Sequence, residues 1–75
     1  MKISFTERVL GTGVMLITSW DGDNWCNVTG LRKSEQTPEN IAKIKKRMAE
    51  AARRPGAPRN GKRWGNYDSL SRYAN

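Results

Sequence analysis

The first thirty residues carry the pattern of a small antiparallel sheet. Polar and apolar residues alternate over 2–6, which predicts a short half-buried edge strand. Residues 14–20 are rich in strand formers, and residues 25–29 form a similar run. Between them, residues 21–24 read Asp-Gly-Asp-Asn, a composition typical of a turn. The pattern therefore predicts a hairpin over about residues 13–30.

The symmetry of that turn predicts how the two strands pair. A two-residue turn and a four-residue loop share one centre, so both give the same register. The resulting pairs are Trp20 with Trp25, Ile17 with Val28, and Ser19 with Cys26. One face then carries Met15, Ile17, Val28 and Cys26, and we expect it to be the core. The other face carries Val14, Leu16, Trp20, Trp25 and Leu31.

A helix is predicted over residues 38–54. Thr37 is a suitable N-cap, and Pro38 fits the first helical position. One narrow apolar stripe follows at helical spacing; its members are Ile41, Ile44, Met48, Ala51 and Ala52. Basic residues lie on the opposite side, and a Pro-Gly pair ends the helix. The fold class that follows is α+β: a small antiparallel sheet built on a hairpin, with one amphipathic helix across a face.

The chain is expected to divide into a folded body over 1–54 and a flexible arm over 55–75. Apart from Ala57, residues 55–63 are proline, glycine, asparagine and basic residues, which favours a disordered basic C-terminal arm. The charge changes along the same direction. Residues 1–32 hold three basic and three acidic residues, whereas 33–75 hold eleven basic and four acidic, which gives the formal net charge of +7. A neutral body with a basic extension favours anionic partners.

The residue types present argue against catalysis and metal binding. The chain has one cysteine, Cys26, and no histidine, so a cysteine nucleophile would lack its usual base and a structural zinc site its usual ligands. We therefore expect a protein that is not an enzyme, with no cofactor, no metal and no small-molecule substrate. A single cysteine also excludes an internal disulfide, which favours a reducing, cytoplasmic location. The helix stripe has no Trp, Phe or Leu, so a membrane-surface role is not expected.

Nucleic-acid binding is the most direct interpretation of the basic residues. Phosphates would be bound by Lys43, Lys46, Arg47, Arg53, Arg54, Arg59, Lys62 and Arg63. Trp64 and Tyr67 follow as aromatic anchors on which bases could stack. The same residues also fit a solvated helix face with a charged tail, and the sequence leaves both interpretations open.

A protein partner is the alternative target. The final residues contain large side chains at three-residue spacing: Trp64, Tyr67, Leu70 and Tyr73. Tryptophan, tyrosine and arginine dominate binding hot spots, so this stretch could dock on a protein. Packing against the outer face of the hairpin would account for the same residues.

In size, basic charge, lack of catalytic residues and strand-plus-helix format, the chain resembles small phage-encoded proteins that bind host machinery such as RNA polymerase. That resemblance implies a non-enzymatic regulator acting in transcription or another nucleic-acid process, with a larger protein machine as partner. The alternative is a sequence-tolerant nucleic-acid-binding protein that uses the basic helix face and arm on DNA or RNA.

Overall fold

The computed structural model of the protein describes residues 2–61, which form a small α+β fold. Its elements are β1 (Ile3–Val9), β2 (Met15–Asp21), β3 (Asn24–Leu31), a 3₁₀ turn (Lys33–Glu35) and α1 (Pro38–Ala52). The strands pair antiparallel in the order β1-β2-β3, so the first and third strands are the edges. The predicted edge strand, hairpin and helix are confirmed. The first strand is longer than predicted, and the helix is two residues shorter.

The hairpin has the predicted turn but a different register beyond it. Gly22 adopts a φ of 60°, the left-handed conformation that a two-residue hairpin turn requires. Trp20 lies opposite Trp25, as predicted. The next pair is Ser19 with Asn27, so Cys26 is an extra residue and forms a β-bulge. The predicted pairs of Ile17 with Val28 and of Ser19 with Cys26 are therefore wrong by one residue.

The bulge exchanges which residues of β3 face the core. Val28, predicted in the core, instead pairs with Thr18 on the outer face of the sheet. Leu31, predicted on the outer face, pairs with Met15 and is buried. The reason is the period of two along a strand, because one extra residue moves every later side chain to the opposite face. Cys26 remains on the helix side, as predicted.

The core lies between α1 and one face of the sheet. On this face it consists of two clusters of buried residues, whose members are Ile3, Cys26 and Ala52, and Ile17, Leu31 and Met48. Leu16 is buried as well, on the opposite face of the sheet. Thr37 caps the helix as predicted, since its side chain accepts a hydrogen bond from the Asn40 amide at 3.2 Å. The apolar stripe of the helix therefore meets the sheet along the face that the bulge sets.

Contacts with the body continue beyond residue 54, where the sequence predicts that the body ends. The Asn60 amide donates to the Trp25 carbonyl at 2.9 Å, and the Trp25 amide donates to the Gly61 carbonyl at 3.1 Å. The first residues of the predicted arm thus lie against the turn end of β3. These two contacts are backbone hydrogen bonds, which a composition typical of linkers does not reveal.

Replacement of the central core residue tests this arrangement. Ile17 is 0% exposed, so Ile17→Ala should lower the free energy of unfolding by about 2–5 kcal/mol through lost burial and a cavity. Val9→Ala is the matched control, because Val9 is 59% exposed and its change should stay within about 0.5 kcal/mol. Urea unfolding followed by circular dichroism measures both. Equal losses in the two variants would contradict the core described above.

Candidate macromolecule-binding surface

The basic helix surface comprises five exposed side chains: Lys43, Lys46, Arg47, Arg53 and Arg54. Within residues 2–61, none of the five forms an ion pair with a carboxylate. All five were predicted as binding residues from the sequence, and all five are exposed on α1 and its C-terminal turn. Their charges are therefore available to an external anion.

Helical geometry divides these cations between the two flanks of α1. At about 100° per residue, Lys43 and Arg47 lie on one flank and Lys46 on the other. Arg47 identifies the first flank as the side next to β3, because it lines the cleft there. Arg53 is the C-cap of the helix, and Arg54 follows it. A cation at this end also offsets the negative end of the helix dipole, so Arg53 has a structural benefit as well.

Lys45 differs from its basic neighbours because it is used within the fold. Its Nζ lies 2.7 Å from the Glu7 carboxylate on β1 and 5.8 Å from the centre of the Phe5 ring. The side chain thus ties the helix to the first strand. Lys45 was not among the predicted binding residues, and its half-buried position agrees with that.

Arg59, predicted as a phosphate ligand, is bonded to the body. Its Nε donates to the Asp21 carboxylate at 3.0 Å, and its Nη2 donates to the Ala52 carbonyl at 2.9 Å. Nη1 donates to the carbonyls of Ala57 and Pro58. One guanidinium therefore joins the hairpin turn, the end of the helix and the segment that follows it. The planar fork of arginine suits this set of acceptors, which the point charge of lysine cannot bridge in the same way.

Asn60 adds a further contact at the bulge, and we call the contacts of Arg59, Asn60 and Gly61 with the body the Arg59 clamp. The Asn60 side-chain amide donates to the Cys26 carbonyl at 3.2 Å, in addition to the backbone bonds that residues 60 and 61 make with Trp25. A bulge turns an extra carbonyl away from the strand ladder, and Asn60 supplies the donor for it. One feature of the sequence could have indicated these contacts: an acidic residue, Asp21, in the hairpin turn and an arginine, Arg59, a few residues after the helix.

A cleft of about 460 Å³ lies between α1 and the edge of β3. Its floor and walls are formed by Asn27, Thr29, Gly30, Leu31, Glu35, Ile44, Arg47, Met48 and Ala51. Sequence reasoning missed this cleft, since it arises only when the helix crosses the sheet. Apolar side chains from the helix therefore meet the polar edge of a strand here, with Arg47 beside them.

The remaining predicted ligands, Lys62, Arg63, Trp64 and Tyr67, lie outside the described residues.

The thiol of Cys26 is buried and lies 3.8 Å from the Asn24 carbonyl, a contact that orients the Cys26 side chain. Among residues 2–61, no three potential metal ligands of the His, Cys, Asp and Glu types come together. In the same part of the chain, no helix has the length and apolar character needed to cross a membrane.

Comparison with known proteins identifies a family. The sequence matches DUF8543, a family of unknown function, over residues 9–66. The chain belongs to DUF8543. No curated protein and no solved structure matches it. The DUF8543 match begins at the end of β1 and includes the hairpin, the helix and the Arg59 clamp, so the surfaces described above lie within the family region.

Arg59→Ala should therefore destabilise this DUF8543 protein. The lost charge-assisted hydrogen bonds are worth about 1.5–3 kcal/mol in sum, after allowance for partial exposure. Thermal unfolding measures the effect, and faster hydrogen exchange at the Trp25 amide would report release of the segment at 60–61. Arg54→Ala is the control, because within residues 2–61 Arg54 has no ion-pair partner. Equal stability in the two variants would contradict the clamp.

Proposed function

We propose that this protein is a non-enzymatic macromolecule-binding protein that acts in transcription or another nucleic-acid process. Its main target is the phosphate backbone of DNA or RNA. The observation that supports this most strongly is the basic helix surface, with five exposed cations that lack carboxylate partners in residues 2–61. Cations arranged in this way release counterions when they bind phosphates, which favours association without reading the bases.

The internal use of two other cations supports the same proposal. Lys45 and Arg59 form ion pairs that join the sheet to the helix and to the segment after it. The five on the helix surface have no such role apart from the dipole contact of Arg53. A surface kept charged in a protein with few acidic residues suits a polyanion.

Titration of labelled single- and double-stranded DNA and RNA at about 50 and about 200 mM salt tests this proposal. Five phosphate contacts on a duplex give a slope of about −4.5 for log K against log salt, which weakens binding by about 500-fold over that range. Arg47→Ala and Lys46→Ala should each lower the slope by about 1. Lys45→Ala is the matched control and should leave the slope unchanged, since Lys45 is bound to Glu7.

A slope near zero, or an equal effect of Lys45→Ala, would reject phosphate binding by this surface.

The second candidate function is regulation of a larger protein machine, such as RNA polymerase. The cleft beside β3 favours it, because a groove that joins apolar side chains to a strand edge is a typical peptide-binding feature.

A further inference from the structure

The outer edge of β3 is hydrogen-bonded to another segment at one end only. At its turn end, Trp25 is bonded to residues 60 and 61. Within residues 2–61, no further strand pairs with this edge, because β3 is the last strand in the sheet order. The stretch 27–31 therefore remains without a neighbouring strand in the part of the chain described.

The direction of the backbone groups along this stretch follows from the ladder. The Val28 amide donates to the side chain of Asn27 at 3.0 Å, so it points away from β2. In an antiparallel pair, residues alternate between inward and outward orientation. Gly30, two residues further on, therefore also directs its N–H and C=O outward. An extended chain at this edge would find the N–H and C=O of Gly30 and the C=O of Val28, and it would compete with the Asn27 side chain for the Val28 N–H.

The cleft lies on the helix side of the same stretch. Thr29 and Leu31 form its sheet wall, while Ile44 and Met48 form its apolar helix wall. An added strand alternates its side chains between the two faces of the sheet, so every second side chain would enter this cleft. A central apolar side chain there would contact Ile44 and Met48.

The charges around the cleft indicate which side chains a bound peptide would carry on either side of its apolar residue. Arg47 lines the cleft, and Lys43 lies one helical turn away on the same flank. Glu35 also lines it and contributes one negative charge, with one carboxylate oxygen held by the Arg32 amide at 3.1 Å, so Arg47, Lys43 and Glu35 together leave a net charge of +1. Acidic side chains two residues to either side of the apolar one would face the helix and its cations. The site is thus complementary to an extended acidic peptide with an apolar centre.

We infer that the edge of β3 over residues 27–31 binds an extended acidic segment of a partner protein by strand addition. The segment pairs its backbone with Val28 and Gly30, places an apolar side chain in the cleft and directs carboxylates to Arg47 and Lys43. This inference rests on the second candidate function, protein binding; it shares Arg47 and Lys43 with the proposed phosphate surface, but the backbone edge at Val28 and Gly30 belongs to it alone. It gives that function a definite site and a class of partner.

The probe is a labelled peptide, Ser-Glu-Ser-Val-Ser-Glu-Ser, which puts glutamate and valine on the same alternate positions. Fluorescence anisotropy with the full chain should show binding, and the peptide with lysine in place of glutamate should not bind. Arg47→Glu should weaken binding at least about tenfold, because it places a like charge in the cleft. Lys46→Glu makes the same charge change on the other flank and should have less than about a threefold effect.

Gly30→Pro tests the backbone part of the inference. Proline removes the outward N–H, and an edge strand tolerates it at such a position. The φ of Gly30 is not positive, so the native backbone does not require glycine there. Peptide binding should be lost while the circular dichroism spectrum is retained. Retained binding in Gly30→Pro, or equal losses in Arg47→Glu and Lys46→Glu, would overturn the inference.

Amide hydrogen exchange of the full chain distinguishes the possible occupants. The inference requires that the Gly30 amide exchanges rapidly in the free protein and becomes protected by the peptide. Protection in the dilute free protein would assign the edge to another part of the same chain, and protection that grows with concentration would assign it to a second copy. Protection by an oligonucleotide but not by the peptide would assign it to nucleic acid. Each of these three results overturns the inference, and the salt titration tests phosphate binding separately.

Discussion

The bulge at Cys26 is the constraint on which the rest of the structure depends. It decides which side chains of β3 meet the helix, and so it puts Leu31 in the core beside Met48. The bulge also turns the Cys26 carbonyl toward Asn60, and the backbone of Asn60 and Gly61 bonds to Trp25. Arg59 then fastens the same segment to Asp21 and to the last turn of the helix. Core packing and the clamp thus share one irregular residue.

Up to residue 61, the basic side chains of the helix and of the segment after it fall into two groups, those paired with carboxylates of the sheet and those exposed on the helix and its C-terminal turn. Arg59 and Lys45 connect elements of the fold through Asp21 and Glu7. Surface ion pairs of this kind contribute little each, yet here they join segments that are distant in sequence, and Arg59 adds carbonyl acceptors. The cations of the basic helix surface have no carboxylate partner within residues 2–61. A domain of this size has a free energy of unfolding of only about 3–5 kcal/mol, so it can lose few stabilising contacts and remain folded.

Local patterns predicted the elements of this fold but could not predict its registers. Thr37 and Pro38 located the start of the helix, and the turn composition located the hairpin with Trp20 opposite Trp25. Nothing local indicated that Cys26 would be the extra residue, because a bulge is stabilised by partners far along the chain. Arg59 was interpreted as a phosphate ligand for the same reason. The helix cations were placed correctly on the surface, since helical spacing alone determines their side, but the cleft needed the crossing of helix and sheet.

The cations beside the edge of β3 also bear on how copies of this protein meet one another. A strand edge without a neighbour is a template on which identical chains can stack into larger sheets. Two copies brought together along residues 27–31 would bring the Arg47 and Lys43 flanks of both helices toward one another, and the repulsion opposes that approach at low ionic strength. The clamp at Trp25 shortens the available edge further. In the part of the chain that the structure describes, charge and the short length of unpaired edge both oppose self-assembly.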